Sequence, residues 1–159
     1  MPQAPVVVRP AREEDRIPLA LIFAAVAEER DGIATEPPVD VEARAAGWNL
    51  DGTLVAVADR GVLAGSIHVE TSRHGFGDIG MAVARDWRGR GVGSALLAAA
   101  VEWARERGLH KLSLSVFPHN AAAVALYRKF GFVEEGRRVK QLRRSSGELW
   151  DVVDMGLLL

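Results

Sequence analysis

A chain of 159 residues with 48% hydrophobic and 26% charged side chains is long enough to bury a proper core and too apolar to stay disordered, so a single soluble domain spanning residues 1–159 is expected. A formal net charge of -1 creates no global field that would draw nucleic acid or an acidic membrane, which argues against both as partners. The absence of cysteine removes disulfides, thiolate metal sites and a cysteine nucleophile together, and an intracellular, cytoplasmic protein is the simplest reading.

The opening segment MPQAPVVVRPAREEDR carries no long apolar stretch, and no run approaches the roughly 18 apolar residues of a membrane span. PVVVRPA (5–11) reads as a short strand. REEDRIPLALIFAAVAEER (12–30) reads as a helix with acids in its first turn, Arg30 at its end and Pro18 placed to kink it. DGIATEPPVD (31–40) is a loop by its Gly, Pro and Asp content, and VEARAAGW (41–48) a short helix. TLVAVAD, VLAGSIHVETS and FGDIGMAVA (53–59, 62–72 and 76–84) form three β-type runs separated by turn signals, which makes a meander. A helix from Ser94 to Arg107 carries Leu97, Val101 and Ala104 on one stripe and stops at Gly108. HKLSLSV (110–116) follows as a strand, NAAAVALYRKF (120–130) as a helix capped by Asn120, and 132–144 with 147–159 as a closing pair of strands. The expected class is α/β, with a mixed, mostly antiparallel sheet of about 6–7 strands and about 4 helices.

The segment RGRGVG, Arg88 to Gly93, puts three glycines directly before the strongest helix. Ordering a glycine costs roughly 0.5–1 kcal/mol, so these positions need either positive φ or close approach by a ligand. A glycine turn feeding a helix N-terminus gathers backbone N–H groups where the dipole supplies about half a positive charge, and Arg88 and Arg90 add more. No Lys follows the glycines, so a P-loop fails. A dinucleotide fingerprint fails as well, because its last glycine falls on Ser94 or Leu96 according to the starting point.

The remaining pattern, Arg-x-x-Gly-x-Gly over Arg88 to Gly93, resembles the pyrophosphate loop of the GNAT N-acetyltransferase superfamily. GDIGMAVARDWRGRGVGSALL is similar to that superfamily's central strand, loop and helix. NAAAVALYRKFGF is similar to its second signature, matched at Asn120, Ala123, Leu126, Tyr127, Lys129, Gly131 and Phe132. The resemblance implies a single-domain GNAT-like fold that uses acetyl-CoA as donor and a primary amine as acceptor, by direct attack through a tetrahedral intermediate. It implies that the pantetheine arm lies along Met81, Ala82 and Val83, and that the pyrophosphate sits on the amides of Arg88, Gly89, Arg90, Gly91, Val92, Gly93 and Ser94. It further implies that Asn120 bonds to the pantetheine arm, that a backbone N–H near Val83 receives the oxyanion, and that Tyr127 stabilises the leaving thiolate. A phenol of pKa ~10 protonates a thiolate whose thiol is near ~8.5 at an uphill cost of about 2 kcal/mol, so hydrogen bonding matters more than full transfer.

An acceptor amine must lose a proton before it attacks. Asp78, at the start of the central strand, matches the glutamate base of some members, one methylene shorter, which favours a water relay. Glu70 and His68 share a strand face and rank behind it, and Glu36 lies in a loop of the kind that borders the acceptor cleft. The four histidines lack metal-ligand spacing, and no Gly-x-Ser-x-Gly elbow accompanies Ser113 or Ser115. The run Arg137, Arg138, Lys140, Arg143, Arg144 reads as a solvated hairpin, with an anionic acceptor as the other reading. The four tryptophans read as packing residues. The loop at 32–42 and the C-terminal tail are similar to parts of phosphinothricin and amino-acid N-acetyltransferases, implying a small amino-acid-like acceptor. A protein N-terminus, as in Rim-type enzymes, is the alternative substrate, and a non-catalytic CoA-sensing module the alternative class. Related domains often form dimers through their C-terminal strands, so a homodimer is a further expectation.

Overall fold

A computed structural model describes residues 5–159; the first four residues of the opening segment lie outside the described residues. β1 (Val7–Pro10) leads through a 3-10 turn at Glu13–Asp15 into α1 (Arg16–Glu28). The acids expected in the first turn of the helix make this preceding turn instead. Asp15 folds back, its carboxylate accepting from the Arg12 amide at 2.7 Å and from the Arg9 guanidinium at 2.7 and 3.1 Å. Pro18 does not break α1, because it is the third helical residue, where an N–H would have no intrahelical acceptor.

α2 (Val41–Ala46) is capped by Asp40, whose carboxylate accepts from the Ala43 amide at 3.0 Å. β2 (Thr53–Val57), β3 (Leu63–Thr71) and β4 (Phe76–Val83) form the expected meander. α3 (Val92–Glu106) starts at Val92 rather than Ser94, because Gly91 at φ 84° serves as its N-cap. β5 (Lys111–Val116), α4 (Ala121–Lys129), β6 (Val133–Arg143) and β7 (Leu149–Leu158) complete the chain. Asn120 caps α4, accepting from the Ala123 amide at 3.4 Å.

The strands make one seven-stranded sheet in the order β1-β2-β3-β4-β5-β7-β6. Every neighbouring pair is antiparallel except β4 and β5. The period-2 alternation of side chains gives the sheet two different faces. One face carries Ile67, Val69, Ile79, Leu112, Leu114 and Met155, which pack with Leu96, Leu97, Ala100 and Ala104 of α3 and with Tyr127 of α4 into the main core. Burying each of these leucines contributes about 1.5–3 kcal/mol. The other face carries Ser66, His68 and Glu70 of β3 opposite Ala82, Gly80 and Asp78 of β4. α1 and α2 lie over that polar face and enclose a cleft.

Candidate active site

Two of the three loop glycines are demanded by backbone conformation. Gly89 has φ 70° and Gly91 φ 84°, the left-handed region in which a Cβ costs about 1–2 kcal/mol. Gly93 has a different reason: a Cβ there would lie 3.0 Å from the Leu126 Cδ2 and 3.5 Å from the Met81 Cε. Its bareness lets α3 close on α4 and β4. The first amide to find a helical acceptor is that of Ala95, bonded to the Gly91 carbonyl at 3.0 Å, and no side chain caps the helix. The amides of Val92, Gly93 and Ser94 therefore precede the helical ladder at the positive end of the dipole, an arrangement ready for an anion.

Arg88 works as a fastener. Its guanidinium bonds both oxygens of Glu29 at the end of α1, at 2.6 and 2.8 Å, and its Nε donates to the Val83 carbonyl at 3.0 Å. The hydrogen bonds from Arg88 hold the Glu29 carboxyl below its ordinary range. Arg90 stacks on Trp87 at 4.5 Å, and its Nε is the one buried side-chain polar atom without a partner among the described residues.

β4 and β5 pair over only three positions, Phe76, Gly77 and Asp78 against Lys111, Leu112 and Ser113. Beyond them β4 runs on to Val83 beside β3, and β5 to Val116 beside β7. The sheet is thus split by a wedge. The Ser72 amide bonds to the Phe76 carbonyl and the Ala84 amide to the Ala64 carbonyl, so the antiparallel alternation between them directs the polar groups of Asp78, Gly80 and Ala82 toward β3. Those of Met81 and Val83 face the wedge. Because Arg88 occupies the Val83 carbonyl, the Val83 N–H is the polar group that this residue offers there. Among the three residues expected along the pantetheine arm, Ala82 is the one whose backbone is committed to β3.

Tyr127 on α4 is 8% exposed and meets Phe132 edge-on, with ring centroids 5.7 Å apart. Burial pushes its phenol up to about 12. At that value, proton transfer to a thiolate of ordinary basicity (~8.5) is uphill by about 5 kcal/mol rather than 2. The geometry therefore favours a neutral phenol that donates a hydrogen bond.

The cleft beneath α1 and α2 has a volume of ≈ 550 Å³ and is lined by Phe23, Arg44, Trp48, Ser66, His68 and Gly80, among others. The Arg44 guanidinium lies 3.8 Å over the Phe23 ring and 5.1 Å from that of Trp48, and it takes part in none of the ion pairs among the described residues. The tryptophans do more than pack: Trp48, Trp87, Trp103 and Trp150 each carry an arginine, with Arg107 4.1 Å over Trp103 and Arg144 4.2 Å over Trp150.

Of the candidate acid and base residues, His68 is the one in the cleft lining. Its Nδ1 is 2.8 Å from the Thr53 hydroxyl and its Nε2 2.9 Å from Glu70. Asp78 stands outside the lining and next to Glu70 across the β3–β4 ladder. Partial desolvation, then repulsion from Asp154 and Glu70, raise its carboxyl. Glu36 is bound elsewhere: its carboxylate accepts from the Ser145 amide at 3.0 Å and hydroxyl at 2.7 Å, and these bonds lower its pKa.

Arg144 departs from the expected solvated hairpin. It is 5% exposed, and its guanidinium donates to the carbonyls of Ala34 at 2.8 Å, Arg30 at 3.4 Å and Ile33 at 3.5 Å. It therefore pins the loop between α1 and α2 under the β6–β7 hairpin. Arg137 and Arg138 fit the expectation of exposed residues and pair with Asp151 and Asp154.

Residues 21–132 match the Acetyltransferase (GNAT) family. The L-amino acid N-acetyltransferase AaaT of Escherichia coli (strain K12) is 34% identical over 110 residues, covering 64% of this chain and 65% of that protein. The chain spans less than two thirds of the length of the curated relatives that head its matches. Among solved structures, the ribosomal-protein-alanine N-acetyltransferase from Brucella melitensis is 33% identical with a TM-score of 0.84, over 96% of this chain and 99% of that one. The GNAT superfamily phosphinothricin acetyltransferase from Sinorhizobium meliloti, in complex with AcCoA, shares the fold at 20% identity and a TM-score of 0.85, over 97% and 88% of the two chains. With the glycine loop, the split sheet and a family match across most of its length, the chain belongs to the GNAT acetyltransferase family.

Proposed function

We propose that this protein transfers the acetyl group of acetyl-CoA to the primary amine of a small amino-acid-like acceptor. The reading rests on the wedge between β4 and β5 that ends at the uncapped start of α3. A pantetheine arm entering the wedge adds to the edge of β4 as an extended strand does, bonding to the outward polar groups of Met81 and Val83. Its pyrophosphate reaches the amides from Arg88 to Ser94. The thioester carbonyl then lies at one of the outward N–H groups of Met81 and Val83, a fixed donor for the tetrahedral oxyanion. Tyr127 donates a hydrogen bond to the departing sulfur, and Asn120, beyond its capping role, bonds to the arm. The proton released by the acceptor passes into the row His68, Glu70 and Asp78, with water carrying it to Asp78.

Arg44 supports the acceptor class. A guanidinium held 3.8 Å over Phe23 and 5.1 Å from Trp48 in the cleft, outside every ion pair described, suits a carboxylate in bidentate contact. The likeness to an L-amino acid N-acetyltransferase points the same way. The whole-length likeness to a ribosomal-protein-alanine N-acetyltransferase favours a second reading, a protein N-terminus as acceptor.

The test is CoA release from acetyl-CoA, followed with a thiol-reactive dye, across free amino acids, polyamines, aminoglycosides and N-terminal peptides. Turnover on amino acids that falls on Arg44→Ala supports the first reading. Turnover confined to peptides supports the second, and silence on every amine with acetyl-CoA still bound leaves a CoA-sensing module.

A further inference from the structure

We propose that His68 accepts the proton of the acceptor amine through Nε2, that Thr53 fixes the tautomer which makes this possible, and that the amine is received over Gly80. The inference rests on the transfer reaction proposed above and concerns which atoms perform it.

The Thr53 side chain is buried, and its Oγ1 has three neighbours: the Asn49 carbonyl at 2.8 Å, His68 Nδ1 at 2.8 Å and the Trp48 indole N–H at 3.3 Å. The indole can only donate, and the hydroxyl has a single hydrogen to give. Were that hydrogen spent on His68, two oxygens would face each other at 2.8 Å with nothing between them. Only one assignment places a hydrogen in both short contacts: Thr53 donates to the Asn49 carbonyl, and His68 Nδ1–H donates to Thr53. In the neutral ring the lone pair is then on Nε2.

Nε2 stands 2.9 Å from the Glu70 carboxylate. With Nδ1–H given to Thr53, a proton taken up at Nε2 is shared with this carboxylate. This is the arrangement that proton transfer produces. The Glu70 side chain is 67% exposed and free to swing away, leaving the Nε2 lone pair of the neutral ring open to the cleft.

Gly80 is the second, independent observation. It lies directly across the ladder from His68 in the middle of a strand, where glycine is weaker than alanine by roughly 0.5–1 kcal/mol. Backbone conformation does not require it, since its φ is not among the positive ones. Packing does not require it either, because a Cβ at Gly80 would meet nothing within 4 Å. The room above it belongs to the cleft and adjoins Met81 of the wedge edge, so an amine placed there has His68 beside it.

The step balances as follows. The acceptor ammonium gives one proton to Nε2, the N–H bond breaking as the Nε2–H bond forms. The freed lone pair attacks the thioester carbonyl, the C–S bond breaks, and the second amine proton leaves with the sulfur as CoA thiol. His68 returns its proton to water past Glu70.

Two experiments test this. Long-range proton–nitrogen NMR on the intact protein, labelled in histidine, reads the tautomer of neutral His68 directly; Nδ1–H is expected, lost in Thr53→Val and regained in Thr53→Ser. In the CoA-release assay, His68→Asn is expected to lower kcat by about 10²–10⁴-fold with the acetyl-CoA KM unchanged. Gly80→Ala is expected to raise the KM for the amine and leave acetyl-CoA binding alone. A neutral Nε2–H tautomer, or a His68→Asn enzyme within about threefold of wild type, overturns the assignment. A wild-type protein that releases no CoA on any amine overturns the transfer reading instead, and the NMR result then decides the role of Thr53 by itself.

Discussion

Tyr127 and Asp78 show how a side chain's surroundings set the chemistry left to it. Desolvation keeps the Tyr127 phenol neutral far above physiological pH, which suits it to the hydrogen bond to sulfur proposed above. Tyr127→Phe is accordingly expected to lower kcat by about 10-fold, the worth of one hydrogen bond that strengthens in the transition state, with acetyl-CoA affinity unchanged by calorimetry. Asp78 is raised above its ordinary 3.8 by desolvation and by two acidic neighbours, so the fold opposes its charged form. That burden is absent below pH 3.8 and complete once the pH exceeds the raised value. Asp78→Asn should therefore raise Tm at pH 7 and leave it unchanged near pH ~3, a pair of melting curves that checks the sign. Arg144 has the opposite lesson: in the sequence it is one more arginine of a basic run, and in the fold it is a buried clamp.

At the level of elements, the glycine loop and α3 form one device. Gly89 and Gly91 turn the chain through left-handed conformations, the uncapped amides follow, and the apolar stripe of α3 anchors the assembly in the core. Gly91→Ala is expected to cost about 1–2 kcal/mol of stability and to weaken acetyl-CoA binding as the amides shift. Gly108→Ala provides the control, because Gly108 has φ 74° with nothing within 4 Å of its added Cβ, yet sits at the far end of the helix. It should lose similar stability in urea and keep full acetyl-CoA affinity. The loop, the helix stripe and the Asn120 cap were legible in the sequence because each depends on neighbours within a turn or two. α3 starts two residues before the Ser94 that the sequence suggests, since a glycine N-cap gives no side-chain signal.

Across the whole molecule, segments far apart in the chain meet at the cleft. The β6–β7 hairpin holds the α1–α2 loop through Arg144 and Glu36, and Ile33 of that loop lines the cleft. Arg144→Ala strips three backbone carbonyls of their donor, and a loss of about 1–3 kcal/mol is expected, together with a higher KM for the amine and an unchanged one for acetyl-CoA. Steady-state kinetics with each substrate varied in turn checks that split. The sequence by itself determined the element order, the α/β class, the anion-ready loop and the likeness to the GNAT family, because periodicity, turn chemistry and contiguous motifs are local properties. Only the tertiary structure decided that β4 parts from β5 after Asp78, that His68 rather than Asp78 lines the cleft, that Thr53 meets His68 at Nδ1, and that Arg44 lies over Phe23 there. Each of these depends on strand register or on contacts between distant segments, and such contacts are fixed by packing that no local pattern encodes.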